Sequence, residues 1–226
     1  MRQIELRDIA LHVARIAVAM LVLLCGPKSL GVALLASLAL FFATFSLTHD
    51  LAHGALGLPR RVNELALCVS GLLMLTSGHA MRIMHLRHHG GRPDDIEGTG
   101  ARLSAWRALL VGPGNAIALR RAGFRLARGV QMRWQIGETL VNVGTVVLAI
   151  ATGSRALLVY VAVATVLQCT LSFWGAHLPH NIPAWIVTLA RPFTFTRSPT
   201  ILNLLYHDAH HENPNTPCQQ LAISNS

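Results

Sequence analysis

Eight histidines fall in three short boxes: His49-Asp50-Leu51-Ala52-His53, His85-Leu86-Arg87-His88-His89 and His207-Asp208-Ala209-His210-His211. The chain has 12 histidines in all, so most of its imidazole is concentrated in a few turns. On a helix, positions i, i+3 and i+4 share one face. The spacing therefore predicts that each box gathers its rings at one point. Neutral imidazole is the commonest protein metal ligand. Eight exceed what one tetrahedral zinc needs and suffice for two ions with open positions. Ligand type alone leaves iron, zinc, copper and nickel open. A lone HxxxH is most simply a pair of ordinary core histidines. Two boxes with identical HxxHH spacing and a third beside them, in an apolar chain, point instead to a metal centre.

The rest of the composition describes where such a centre would sit. The 226 residues fit one domain, 1–226; they are 52% hydrophobic and 13% charged, with mean hydropathy +0.46. That is too apolar for a typical soluble domain and predicts an integral membrane protein. The formal charge of +9 is carried almost wholly by arginine, Lys28 being the only lysine. Arginines flanking apolar segments indicate a cytoplasmic face beside anionic lipid. With no nucleic-acid-binding motif, nucleic acid is not an expected partner. Cys25, Cys68, Cys169 and Cys218 show no CxxC spacing, so they are expected to be reduced packing residues.

The boxes H-x-x-x-H, H-x-x-H-H and H-x-x-H-H, in this order and separated by apolar runs, resemble the membrane fatty acid desaturase and hydroxylase superfamily. Thr48 to Gly54 looks like its first box, Asp94-Asp95 like its acidic stretch after box two, and His210 to Pro217 like its HH-x-x-P-x-x-P ending. Leu178-Pro179-His180 is similar to a segment of bacterial carotenoid ketolases. The resemblance covers about Gly31 to Leu221. Cys218-Gln219 departs from the aromatic and basic residues that often follow Pro217. The resemblance implies two ferrous ions held by His49, His53, His85, His88, His89, His207, His210 and His211, with O₂ as co-substrate. It also implies a further ligand between the last membrane hairpin and box three: His180, ahead of His177. Substrate would be an acyl chain, or in the alternative a carotenoid ring that is ketolated or hydroxylated; a lipid hydroxylase would use the same scaffold. No nucleotide fingerprint, cysteine cluster or haem-binding HPGG segment is present, so an external donor such as a ferredoxin or cytochrome is implied. A haem- or metal-binding membrane protein is the non-enzymatic alternative.

The elements that must position these boxes are all helical. Ile9 to Cys25, ended by Gly26-Pro27, reads as a retained first membrane helix rather than a signal peptide, since no small-x-small cleavage site follows. His12 on it is expected to be interfacial. Gly31 to Thr48 is a clear apolar helix delivering box one. Thr139–Thr152 and Ala156–Trp174 form a second hairpin turned at Gly153-Ser154-Arg155. The fold class expected is thus all-α, with about four crossing helices in two hairpins under a cytoplasmic metal-binding cap. The setting is a bacterial inner membrane with the N-terminus cytoplasmic. Both boxes must face one site, so Leu65 to Met81 is expected not to cross. Ala101 to Arg133, divided at Gly112-Pro113-Gly114, is expected to form two amphipathic interfacial helices, whose arginines form a lipid-facing rim or a surface for an acidic donor. Around the boxes, Asp50 and Asp208 are candidates to hold a histidine of another box through its far nitrogen. Asn181 and Asn203 are candidates to hold a metal-bound water. His79 is off the box register and a weak candidate ligand, and Glu212 is expected at the surface or behind the ligands.

Overall fold

The structure is a computed structural model that describes residues 4–25 and 29–221; the expected break at Gly26-Pro27 and the position of Lys28 lie outside those residues. Among the described residues all regular secondary structure is helical. Helices α1 (Leu6–Leu24) and α2 (Leu30–Ala52) pack along each other. The Ser29 hydroxyl caps α2 by accepting from the Val32 N–H (3.1 Å). Within α2 the hydroxyls of Ser37, Thr44 and Thr48 donate to the carbonyls one turn back (2.7–2.8 Å), which satisfies them in apolar surroundings.

Among the described residues two helices, α2 and α7 (Val130–Thr152), are each long and apolar enough to cross a membrane. Up to four spans result if two bent pairs are each counted as one. The expected first span, α1, falls outside that set because Arg7, Asp8 and Arg15 interrupt it. One bent pair is α3 (Arg60–Leu73) with α4 (Gly78–His89), set at 102°. Here the Leu65 to Met81 run makes a turn instead of a straight rod. The bend needs small residues: a Cβ on Gly71 would meet the Gly78 amide, and one on Gly78 would meet the Leu67 carbonyl. Leu75 takes a left-handed φ of 55° inside it, and Ser77 caps α4 through the Ala80 N–H (3.0 Å).

After the short α5 (Glu97–Ala101), α6 runs unbroken from Ala105 to Leu126. This corrects the expected division at Gly112-Pro113-Gly114. Pro113 is carried inside the helix, and Gly112 gives α6 its closest approach to the Cys169 carbonyl. The α7–α8 hairpin (α8, Arg155–Cys169) turns at Gly153, where φ is +61°, a conformation glycine adopts without penalty. The second bent pair follows: α8 meets a π-helical turn (Ser172–His177) and α9 (Leu178–His180) at 53°. The chain then passes through α10 (Ala184–Ala190), a 3₁₀ segment (Arg191–Thr196), α11 (Pro199–Leu205) and α12 (His207–Glu212), and the last element among the described residues is a 3₁₀ turn at Cys218–Gln220. Box one thus ends α2, box two ends α4 and box three forms α12.

Candidate metal centre

The helix ends bring nine histidines together. His49, His53, His85, His89 and His210 form one group whose ring nitrogens lie within 4.8 Å of one another; His88, His180 and His211 form a second. His207 joins the second through Nε2–Nε2 approaches of 3.2 Å to His180 and 3.1 Å to His211. The groups abut, with the His89 and His211 rings stacked at 4.3 Å.

The boxes do not each gather at one point. His85 and His89 enter the first group and His88 the second; His207 and His211 enter the second and His210 the first. Helix geometry accounts for this. Adjacent residues diverge by about 100°, whereas i and i+4 differ by only about 40°. An HxxHH box therefore sends an i, i+4 pair to one point and its odd histidine to another. The two boxes do so in opposite senses and straddle a pair of positions.

The nitrogens fit metal ions. Nε2 of His49, His53 and His85 is buried and has no hydrogen-bond partner. Burial, reinforced by neighbouring rings, pushes the His207 imidazolium down to about 2 and that of His211 to about 4; His210 moves the same way. These imidazoles are therefore neutral at pH 7, the state that offers a lone pair.

Carboxylates stand behind two of the rings. Glu97 Oε1 lies 2.8 Å from His85 Nδ1, and Asp95 Oδ2 lies 2.9 Å from His88 Nδ1. Each accepts the Nδ1–H and leaves Nε2 facing the group. The chain after box two returns to supply both acids, Asp95 from the loop and Glu97 from the start of α5, with Asp94 held aside by Arg87. Neither Asp95 nor Glu97 follows from helical spacing. The available signal was the acidic run within a Gly/Pro-rich loop beside box two.

The other candidates take different places. Asp50 is buried and reaches no histidine of another box; it accepts from His12 Nε2 (3.0 Å) and from the Cys218 N–H (3.1 Å). His12 is consequently fully buried instead of interfacial. Asp208 and Glu212 are exposed. The Asn181 amide donates to the carbonyls of Ala101 (2.9 Å) and His177 (3.0 Å), so it braces the chain instead of facing the centre. His177 stacks on Phe173 (6.0 Å) outside both groups. His79 lies between Glu138 (2.7 Å) and Glu64 (3.0 Å), also outside both. Asn203 sits on a cavity wall with His207, and its Oδ1 is buried without a partner.

That cavity, of about 190 Å³, opens beside His49, His85 and His207. Its remaining walls are mostly apolar and include Phe42, Phe45, Trp174, Leu178, Pro179 and Leu204. Trp174 stands on the π-helical turn, where its indole donates to the Leu167 carbonyl (2.8 Å) and its ring meets Phe41, Phe42 and Phe45 edge-on at 4.8–5.8 Å. Phe42 and Thr200 also wall a groove of about 780 Å³ along α1 and α2.

An all-α membrane fold with histidine boxes collected at its helix ends, against an apolar cavity, defines a class of membrane-embedded proteins with a candidate metal centre. Residues 27–223 match the fatty acid desaturase family, and the chain belongs to it. Membership gives a desaturase- or hydroxylase-type oxidoreductase acting on lipid. No curated protein and no solved structure matches the chain.

Proposed function

We propose that the protein is an O₂-dependent di-iron desaturase of acyl-lipid chains. The observation that carries this reading is the pair of abutting histidine groups beside an apolar, aromatic-walled cavity. Five histidines (His49, His53, His85, His89, His210) would hold one iron and four (His88, His180, His207, His211) the other. Iron bound there supplies O₂ reduction and, through it, removal of hydrogen from an unactivated C–H bond.

The chain's own residues do the rest. Glu97 and Asp95 hold His85 and His88 in the tautomer that presents Nε2. Phe42, Phe45 and Trp174 keep water from the cavity and align a hydrocarbon segment next to the histidines. Asn203 Oδ1 holds a water beside His207. The groove along α1 and α2 admits the chain laterally from the bilayer. Removing two hydrogens with one O₂ takes two electrons and two protons and gives two waters. A ferredoxin or cytochrome delivers the electrons at the cytoplasmic, arginine-rich face.

The similarity of Leu178-Pro179-His180 to a segment of bacterial carotenoid ketolases, with Leu178 and Pro179 on the cavity wall, supports a second reading, oxidation of a carotenoid ring. A haem fits poorly, because the rings pack on one another at 4.3–4.9 Å and leave no slot for a porphyrin. The test is mass spectrometry of lipids from a carotenoid-producing bacterial host with and without the protein and a ferredoxin supply. Acyl chains lacking two hydrogens are expected. Acyl chains gaining oxygen would make it a hydroxylase, and carotenoids gaining oxygen would establish the second reading.

A further inference from the structure

Three box histidines have an identifiable group at Nδ1. For His85 and His88 it is a carboxylate. For His49 it is Cys218, whose Sγ lies 3.3 Å away. Asp50 Oδ1 stands at 3.7 Å from the same nitrogen, beyond hydrogen-bonding reach, and the Asp50 carboxylate already accepts from His12 and from the Cys218 backbone. Of the four cysteines Cys218 is the buried one, at 1% exposure.

The thiol is held there by a chain of contacts. The Gln219 amide donates to the Asp8 carbonyl (3.0 Å), and the Gln220 amide to the Asp8 carboxylate (2.6 Å). Both tie the C-terminal turn to α1. His12 on α1 holds Asp50, and Asp50 holds the Cys218 N–H. The Cys218 side chain is thereby set against His49. On its other side, His49 Nε2 is buried without a partner among the first group. If Nε2 is to offer a lone pair, the proton must sit on Nδ1. The sulfur is then the acceptor.

We propose that Cys218 is a positioning residue for His49: its sulfur accepts the Nδ1–H and presents Nε2 to the first histidine group. The proposal rests on the reading of that group as a metal site. Sulfur accepts a hydrogen bond weakly compared with an ionised carboxylate. His49 is therefore a less electron-rich donor than His85 or His88, and the C-terminal turn tunes one ion more than the other.

The experiment uses full-length protein purified with ⁵⁷Fe and compares C218S, C218A and C218V with the unsubstituted chain. The readouts are iron per chain, iron affinity and the Mössbauer doublets, with turnover measured separately. C218S keeps an acceptor and is expected to hold two irons with both doublets near their original positions. C218A is expected to alter one doublet, leave the other unchanged and weaken one iron by about tenfold. C218V fills the space without an acceptor and serves the same comparison should the alanine variant fail to fold. Unchanged doublets and affinity in C218A and C218V would overturn the proposal. So would three ions per chain, since His49, Asp50 and Cys218 would then ligate an ion of their own. An unsubstituted chain that binds no iron overturns the di-iron reading itself.

Discussion

The two ends of α4 carry buried histidines in opposite situations. At its start, His79 has a carboxylate on each ring nitrogen, Glu138 at 2.7 Å and Glu64 at 3.0 Å, and lies flat against Trp134 at 5.1 Å. Arg82 forks onto Glu64 (2.7 and 2.9 Å), and the Ser77 hydroxyl donates to Glu138. Every nitrogen and most oxygens are claimed, so the site has nothing left to offer a ligand. At its end, His85 and His88 have a carboxylate on one nitrogen only. A position on α4, shelter from solvent and acidic neighbours are common to both ends. What separates a structural histidine from a candidate ligand is whether one nitrogen remains unclaimed. The largest test of that distinction is at box positions: His88→Ala and His210→Ala should each abolish turnover and lower bound iron while the protein still inserts in the membrane. Full turnover with full iron in either variant would contradict the assignment.

The same substitution at the two ends should fail in two different ways. His79→Ala leaves Glu138 buried with the Ser77 hydroxyl but without its imidazole partner, and breaking a buried pair costs up to about 3–5 kcal/mol. Its thermal unfolding midpoint should drop sharply, while the iron affinity of the protein that remains folded stays put. Glu138→Gln should act in the same direction with a smaller drop. Glu97→Gln, by contrast, removes the charge behind His85 and should weaken iron binding by roughly 10–100-fold with little change in the midpoint. Titrating iron into each variant and recording its melting curve separates the outcomes. A Glu97→Gln protein that melts early yet binds iron normally would erase the contrast.

Which histidines matter was legible from spacing, because HxxHH on a helix is a local pattern. How they divide is less legible: the step of about 100° between His88 and His89 favours separate points, but i, i+3 and i+4 also share one face, and only the packing of the helix ends decides between the two. The apolar helices α2 and α8 were legible by hydropathy, but α7 only from Thr139 onward: its first turns, from Val130, carry Arg133, Gln135 and Glu138 and read as part of the preceding interfacial stretch. The α1 helix was legible as a helix but carries too much charge to pass as a span. The unbroken α6 was missed because Gly112-Pro113-Gly114 is a breaker by composition, and only the Cys169 carbonyl shows what Gly112 is for. The groups behind the ligands were the least legible. His12 and Asp50 lie 38 residues apart, and Cys218 and His49 169 apart. No periodicity links such pairs; the packing of α1 and the C-terminal turn does.

Gly98 gives the finest probe of how the acids are held. A Cβ there would collide with Asp95 Oδ2 and come within 3.0 Å of His88 Nδ1. Meanwhile the Gly98 N–H donates to the other Asp95 oxygen (2.9 Å), fixing the carboxylate at His88. Gly98→Ala must therefore push Asp95 away from the ring without removing any functional group. The clash lies at the tip of a side chain in a loop, and Asp95 can move. The expected result is a loss of iron affinity smaller than that of Asp95→Asn, confined to the ion that His88 would hold, with the melting curve almost unchanged. Gly98→Ser should behave like alanine. If both variants bind both irons with unaltered affinity, the Asp95–His88 contact has no part in presenting Nε2. The carboxylate behind His85 would then be the only one of the two that acts on the centre.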